Sequence, residues 1–142
     1  MISNDRKLHI FGVAELLKKY AEEKGLGEDV AQEYYLLGLL HDIGYEFAEP
    51  KDYNNHHFIG GEVLKKQGYK HWQEVYWHGV IDRDYESELL DILEWADMHI
   101  DSSGNYVSFE DRLNEISERY NVPVENLFSK PVVDRLIKKG YK

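Results

Sequence analysis

Three times in this chain an ionisable group falls where helical spacing calls for an apolar one. His9 lies four, seven, eight and eleven positions before Val13, Leu16, Leu17 and Tyr20, so an imidazole shares their face. The pair His41-Asp42 closes the run Leu36, Leu37, Leu39, Leu40, and Asp97 shares a face with Leu90, Leu93 and Ile100. A carboxylate buried without a partner is costly, so each of these residues demands a hydrogen-bonding or metallic explanation. Three anomalies on three helical segments predict convergence, and further histidines stand nearby: His56 and His57 open one segment, and His78 ends a stretch with Val75 and Tyr76. The absence of cysteine removes thiolate zinc sites, iron–sulfur clusters, disulfides and a Cys nucleophile together. A metal would therefore be held by His and carboxylate side chains pointing inward from several helices.

The elements that must carry these residues read as helices almost throughout, with no period-two run bounded by hairpin turns. The expected fold is all-α, a compact bundle of about six to seven helices. The first helix is predicted from about Asp5 to Lys24, stopped by Gly25 and Gly27, and the second from Glu28 or Asp29 to Gly44. Gly38 inside the second helix costs about 1 kcal/mol relative to Ala, which points to close packing against a neighbour. Tyr45 to Asn55 has loop chemistry, with Pro50, Asp52 and two asparagines. Further helices are expected to Gln67, over Trp72 to Val80, over Glu86 to Ile100, from Ser108 to Tyr120, and after Pro131.

Length and composition bound the function. The 142 residues read as a single domain, and 42% hydrophobic residues suffice for a core. Lys and Arg total 17 against 27 Asp and Glu, and between Asp82 and Glu118 twelve carboxylates face only two arginines. Such a face repels a nucleic-acid polymer. No uncharged stretch approaches a membrane span or a signal-peptide core, so no membrane partner and a cytoplasmic location are expected.

The ordered set His9, His41-Asp42, His57, His78, Asp97 resembles that of the HD-domain superfamily of metal-dependent phosphohydrolases. His9 with Val13-Ala14 is similar to its first-helix motif, Leu39-Leu40-His41-Asp42-Ile43-Gly44 to its defining segment, and Ala96-Asp97 to its terminal motif. His57, with Gly61 and Leu64 behind it, resembles the additional His motif of branches with two metals. The likeness spans residues 9 to 97, leaves the C-terminal helices of 108–142 outside it, and is similar in layout to symmetrical diadenosine tetraphosphate hydrolases. It implies that His9, His41, Asp42 and Asp97 hold a first divalent transition metal ion (Mn, Fe, Co, Ni or Zn), with Asp42 bridging to a second held by His57 and His78. His56 stands as the alternative to His57. Asp42 and His41 would be the catalytic residues, and His56, Lys51 and Arg83 would contact a small phosphorylated substrate such as a nucleotide. A di-iron oxygenase and a non-catalytic metal- or ligand-binding module are the competing readings. His71 and His99 fit no place in the ordered set, and a surface position is the expectation for both.

Overall fold

The computed structural model describes residues 2–142. The first helix, α1 (Asn4–Glu23), begins at Ser3, whose extended backbone lets its hydroxyl accept the Arg6 amide at 3.2 Å. It buries His9, Ile10, Val13, Ala14, Leu17 and Ala21 against α2 (Glu28–Leu40), so the imidazole of His9 does occupy the apolar face. Gly27 caps α2 at φ +97°, a left-handed value that favours glycine. Within α2, a β-carbon on Gly38 would fall 2.4 Å from Ala14 Cα, so the absent side chain is what lets the two helix backbones touch.

The second helix was expected to run on to Gly44; instead it stops at Leu40 and tightens. Ile43 and Tyr45 donate their amides to the carbonyls of Leu40 and Asp42, three residues back rather than four. The His41 ring contributes to the change, since its Nδ1–H donates to the Gly38 carbonyl at 2.6 Å. A single turn, α3 (Gly44–Phe47), and a 3-10 segment (Pro50–Asn55) replace the loop expected from composition. Then α4 (His56–Lys66) begins hard against the turn. A β-carbon on Gly44 would lie 1.7 Å from the His56 carbonyl oxygen, so only glycine lets α4 start beside Asp42.

Helix α5 (Trp72–Trp77) ends three residues earlier than its composition predicts, because His78 turns extended (ψ 134°) and Gly79 takes φ +80°. Ser87 and Ser108 cap α6 (Glu88–His99) and α7 (Phe109–Tyr120), accepting the amides of Leu90 and Asp111. A short 3-10 turn (Val124–Asn126) leads to α8 (Ser129–Lys138), with Pro131 in its first turn. No strand occurs among the described residues; the nearest approach is one isolated bridge between Ile100 and Tyr106.

Two apolar cores hold the bundle. The first joins Val13, Leu17, Leu37, Leu64, Val75, Leu93 and Ala96 beneath the ionisable residues. The second, with Met98, Phe109, Leu113, Val133 and Leu136, seats α7 and α8 on the far side of α6, and Trp95 and Tyr141 touch both. Gly38→Ala forces α1 and α2 apart at a backbone contact. It is expected to destabilise the protein by about 1–3 kcal/mol, read as a loss of several degrees in thermal midpoint by circular dichroism.

Candidate metal centre

Four histidines are aimed by the same device. The Nδ1–H of His9 donates to the Ile100 carbonyl (3.1 Å), that of His41 to Gly38 (2.6 Å), that of His56 to Tyr53 (3.0 Å) and that of His78 to Val75 (2.6 Å). A carbonyl only accepts, so Nδ1 carries the proton in each ring and Nε2 is the atom left to bind something else. Three of the four acceptors lie three residues back in the same local turn, so those rings are oriented by their own backbone. His9 is the exception, oriented by the chain leaving α6.

All four Nε2 atoms face two carboxylates. His9 and His41 stand 3.8 and 3.3 Å from Asp42 Oδ2, whereas His56 and His78 stand 3.1 and 3.4 Å from Asp42 Oδ1. Asp97 closes the first side, with Oδ1 2.7 Å from His9 Nε2 and 3.6 Å from His41 Nε2. The geometry defines two donor groups that could each hold a metal: His9, His41 and Asp42, and Asp42, His56 and His78. Donor atoms about 2.0–2.2 Å from one ion at tetrahedral or octahedral angles are roughly 2.8–3.6 Å apart, the range most of these contacts occupy. His41 Nε2 supplies the sharper test: it is fully enclosed and makes no hydrogen bond, an unpartnered nitrogen that a cation would satisfy. The donor set therefore fits a divalent ion.

Without an ion, protons must separate these lone pairs. Burial pushes the Asp42 carboxyl up, but the charge and hydrogen bonding of His41, joined by His56 and His78, outweigh it and hold the group well below the usual carboxylate range. Asp97 is held down in the same way by His41 and His9. Burial opposes a charge on His41, yet Asp42 and Asp97 raise it well above 6.5. In metal-free protein the two carboxylates therefore favour the proton on His41, and an ion competes with that proton.

Of the candidates named from sequence, His9, His41, Asp42, His78 and Asp97 converge. At the second group the structure places His56 against Asp42, while His57 lies outside both groups, its ring centroid 4.0 Å from Phe58 and 6.0 Å from His78. Burial, with the charges of His78 and His56, pushes His57 down to about 3. One residue of helix rotation separates the two neighbours, and only His56 reaches the Tyr53 carbonyl that orients it. Lys51 is exposed on the 3-10 segment. Arg83 is engaged elsewhere, its guanidinium donating to Glu86 and Glu94 with Asp91 beside it. His71 is half-buried between Glu33 and Glu74. His99 corrects the expectation of a surface position: it is buried, sandwiched between Tyr106 and Phe109, with its ring nitrogens at the carbonyls of Val107 and Lys142. The segment after α6 folds back over it, which helical periodicity does not reveal.

Two residues at the rim escaped the sequence reading. Tyr45 stacks on His56 with ring centroids 4.1 Å apart, and the Arg6 guanidinium lies 3.4 Å over the Tyr45 ring. Arg6 forms no ion pair among the described residues. The available signal was spacing: Arg6 is three residues before His9, and Tyr45 three after Asp42.

A helical protein whose buried His and Asp side chains form two adjoining donor groups belongs to the class able to carry a divalent metal centre. The family follows from comparison: the HD domain model matches residues 6–127, and the chain belongs to that family, whose members are in general metal-dependent phosphohydrolases. No curated protein and no solved structure matches the chain significantly. Among the described residues no helix is long and apolar enough to cross a membrane.

Metal binding is expected to release protons, because His41 must be neutral to ligate. Apparent Mn²⁺ affinity should then rise with pH until His41 is deprotonated in the free protein, and binding enthalpies at pH 7 should differ between buffers of different ionisation heat. Calorimetry in two buffers checks this, and buffer-independent enthalpy would contradict it.

Proposed function

We propose that this protein hydrolyses a small phosphate ester or anhydride, a nucleotide being the favoured class, at a centre of two divalent ions. The observation that supports this reading is the division of Asp42: one carboxylate oxygen faces His9 and His41, and the other faces His56 and His78. A carboxylate used in that way is suited to bridging two ions. His9, His41 and Asp97 complete the first set of ligands, and His56 and His78 complete the second, with His56 taking the place that sequence alone assigned to His57. Ions held there supply Lewis-acid polarisation of a phosphoryl oxygen and a water acidic enough to attack phosphorus near neutral pH.

The protein's own groups perform the rest. His41 and Asp42 are buried, while Asp97, whose side chain is 23% exposed, marks the side open to substrate. At the rim, the Arg6 guanidinium lies 3.4 Å over the Tyr45 ring and forms no ion pair among the described residues, which leaves its donors available to a phosphate oxygen. The aromatic face beneath fixes the guanidinium plane, so little side-chain entropy remains to be lost when an anion binds. Asp42 and His41 are the residues on which the chemistry depends.

Mn²⁺-loaded protein is expected to turn over at least one member of a panel of nucleoside mono-, di- and triphosphates, dinucleoside polyphosphates and phosphomonoesters. Asp42→Asn should lower that rate by roughly 10³-fold or more while the far-ultraviolet circular dichroism is retained. His56→Ala should cost far more activity than His57→Ala. An untouched panel would defeat the proposal, and oxygen uptake by iron-loaded protein with a polyol would replace it with the di-iron oxygenase reading. Arg6→Ala should raise KM about 10-fold, equivalent to about 1.4 kcal/mol, with little change in kcat. Unchanged KM would remove Arg6 from the phosphate site.

A further inference from the structure

We infer that the C-terminal helix α8 positions His78 for the second ion, acting through Arg135 and the buried Glu94; the inference rests on the two-ion reading above. Helix α8 lies beyond residue 127, where the family match ends. His78 needs outside support because it has left α5: its backbone is extended, and the following residue, Gly79, is left-handed. The Nδ1–H bond to Val75 orients the ring about its own axis. The direction in which the ring is offered to Asp42 depends on where the chain after His78 is held.

Glu94 holds it. This carboxylate, 1% exposed on α6, accepts the Gly79 amide at 2.8 Å. Arg135 of α8 donates to both Glu94 oxygens at 3.0 Å, and the same guanidinium reaches the carbonyls of Val80 and Ile81 at 3.3 Å. Arg83 completes the pairing at 2.7 Å from Glu94 Oε2. One guanidinium thus ties helix α8, helix α6 and the three residues after His78 into a single rigid unit. Buried ion pairs of this kind are poor sources of net stability, since desolvation offsets much of the attraction, and their clearer value is in fixing geometry. The first group has supports that Arg135 does not touch: His9 is carried by α1 and its Nδ1–H donates to the chain after α6, His41 is held at the end of α2, and Asp97 sits within the regular helix of α6. Loss of Arg135 should therefore act on one ion and spare the other.

Titration of metal-free protein with Mn²⁺, followed by calorimetry and electron paramagnetic resonance, tests this. Wild-type protein is expected to bind two equivalents and to show the signal of a spin-coupled pair. Arg135→Met should weaken the second equivalent 10-fold or more, with the first within about 2-fold of wild type, leaving the six-line signal of isolated Mn²⁺ where wild type shows the coupled one. Leu113→Ala opens a cavity in the second core without touching the His78 segment, so it should lower the thermal midpoint and leave both affinities in place. Should Arg135→Met fail to fold, Arg135→Lys keeps the cation at Glu94 without the two-armed reach to Val80 and Ile81, and a selective weakening of the second ion is again expected. Two unchanged affinities in the Arg135 variant would overturn the inference and leave the two-ion reading standing, as would equal weakening of both ions. Wild-type protein that binds a single ion would overturn both.

Discussion

Asp42 is a carboxylate almost wholly removed from water, with four imidazole nitrogens within 3.8 Å of its two oxygens. An ionised group in that setting is stable only if positive charge surrounds it, as protons on the histidines or as metal ions. Much of the local architecture serves this condition. Just past the end of α2, His41 and Asp42, adjacent in sequence, both reach one small volume. Gly44 then admits the start of α4 so that His56 reaches the second carboxylate oxygen.

The histidines are aimed before any ion arrives. Each spends its Nδ1–H on a backbone carbonyl, which selects the tautomer and limits ring rotation. The cost of this preorganisation is visible in His41 Nε2, which is buried without a partner. A site of this kind binds a cation at little conformational cost, because its ordering was completed when the chain folded. Membership of the HD domain family agrees with that arrangement, and Tyr45, stacked on His56 with Arg6 over its ring, lies beside it.

Beyond the metal ligands, the buried charges form a second system with a different task. Glu94, Arg83 and Arg135, with Glu86, Asp91 and Lys139 at the edge, join the segment after His78 to α6 and α8. Most of the acidity between Asp82 and Glu118 that makes the sequence look repellent to anions lies away from the candidate centre, and part of it is neutralised within this network. Asp97 is the exception, facing His9 and His41.

The sequence by itself determined the helical class and most helix ends, because these follow from local rules, and it pointed to five of the residues that converge at the candidate centre. Apolar spacing marks the buried faces, serines and glycines mark the ends, and ionisable residues on a buried stripe betray His9, Asp42 and Asp97. Gly38 was legible for the same reason, as a missing side chain in an otherwise continuous face. Tertiary structure alone placed His56 rather than His57 against Asp42, since the positions of adjacent residues depend on how α4 is rotated against the Gly44 turn. It also decided that Arg83 pairs with Glu94, that His99 is buried, and that Arg6 reaches Tyr45. Each of these is a pairing across tens of residues or between separate elements, fixed by packing, and no local periodicity encodes which distant partner a polar side chain will meet.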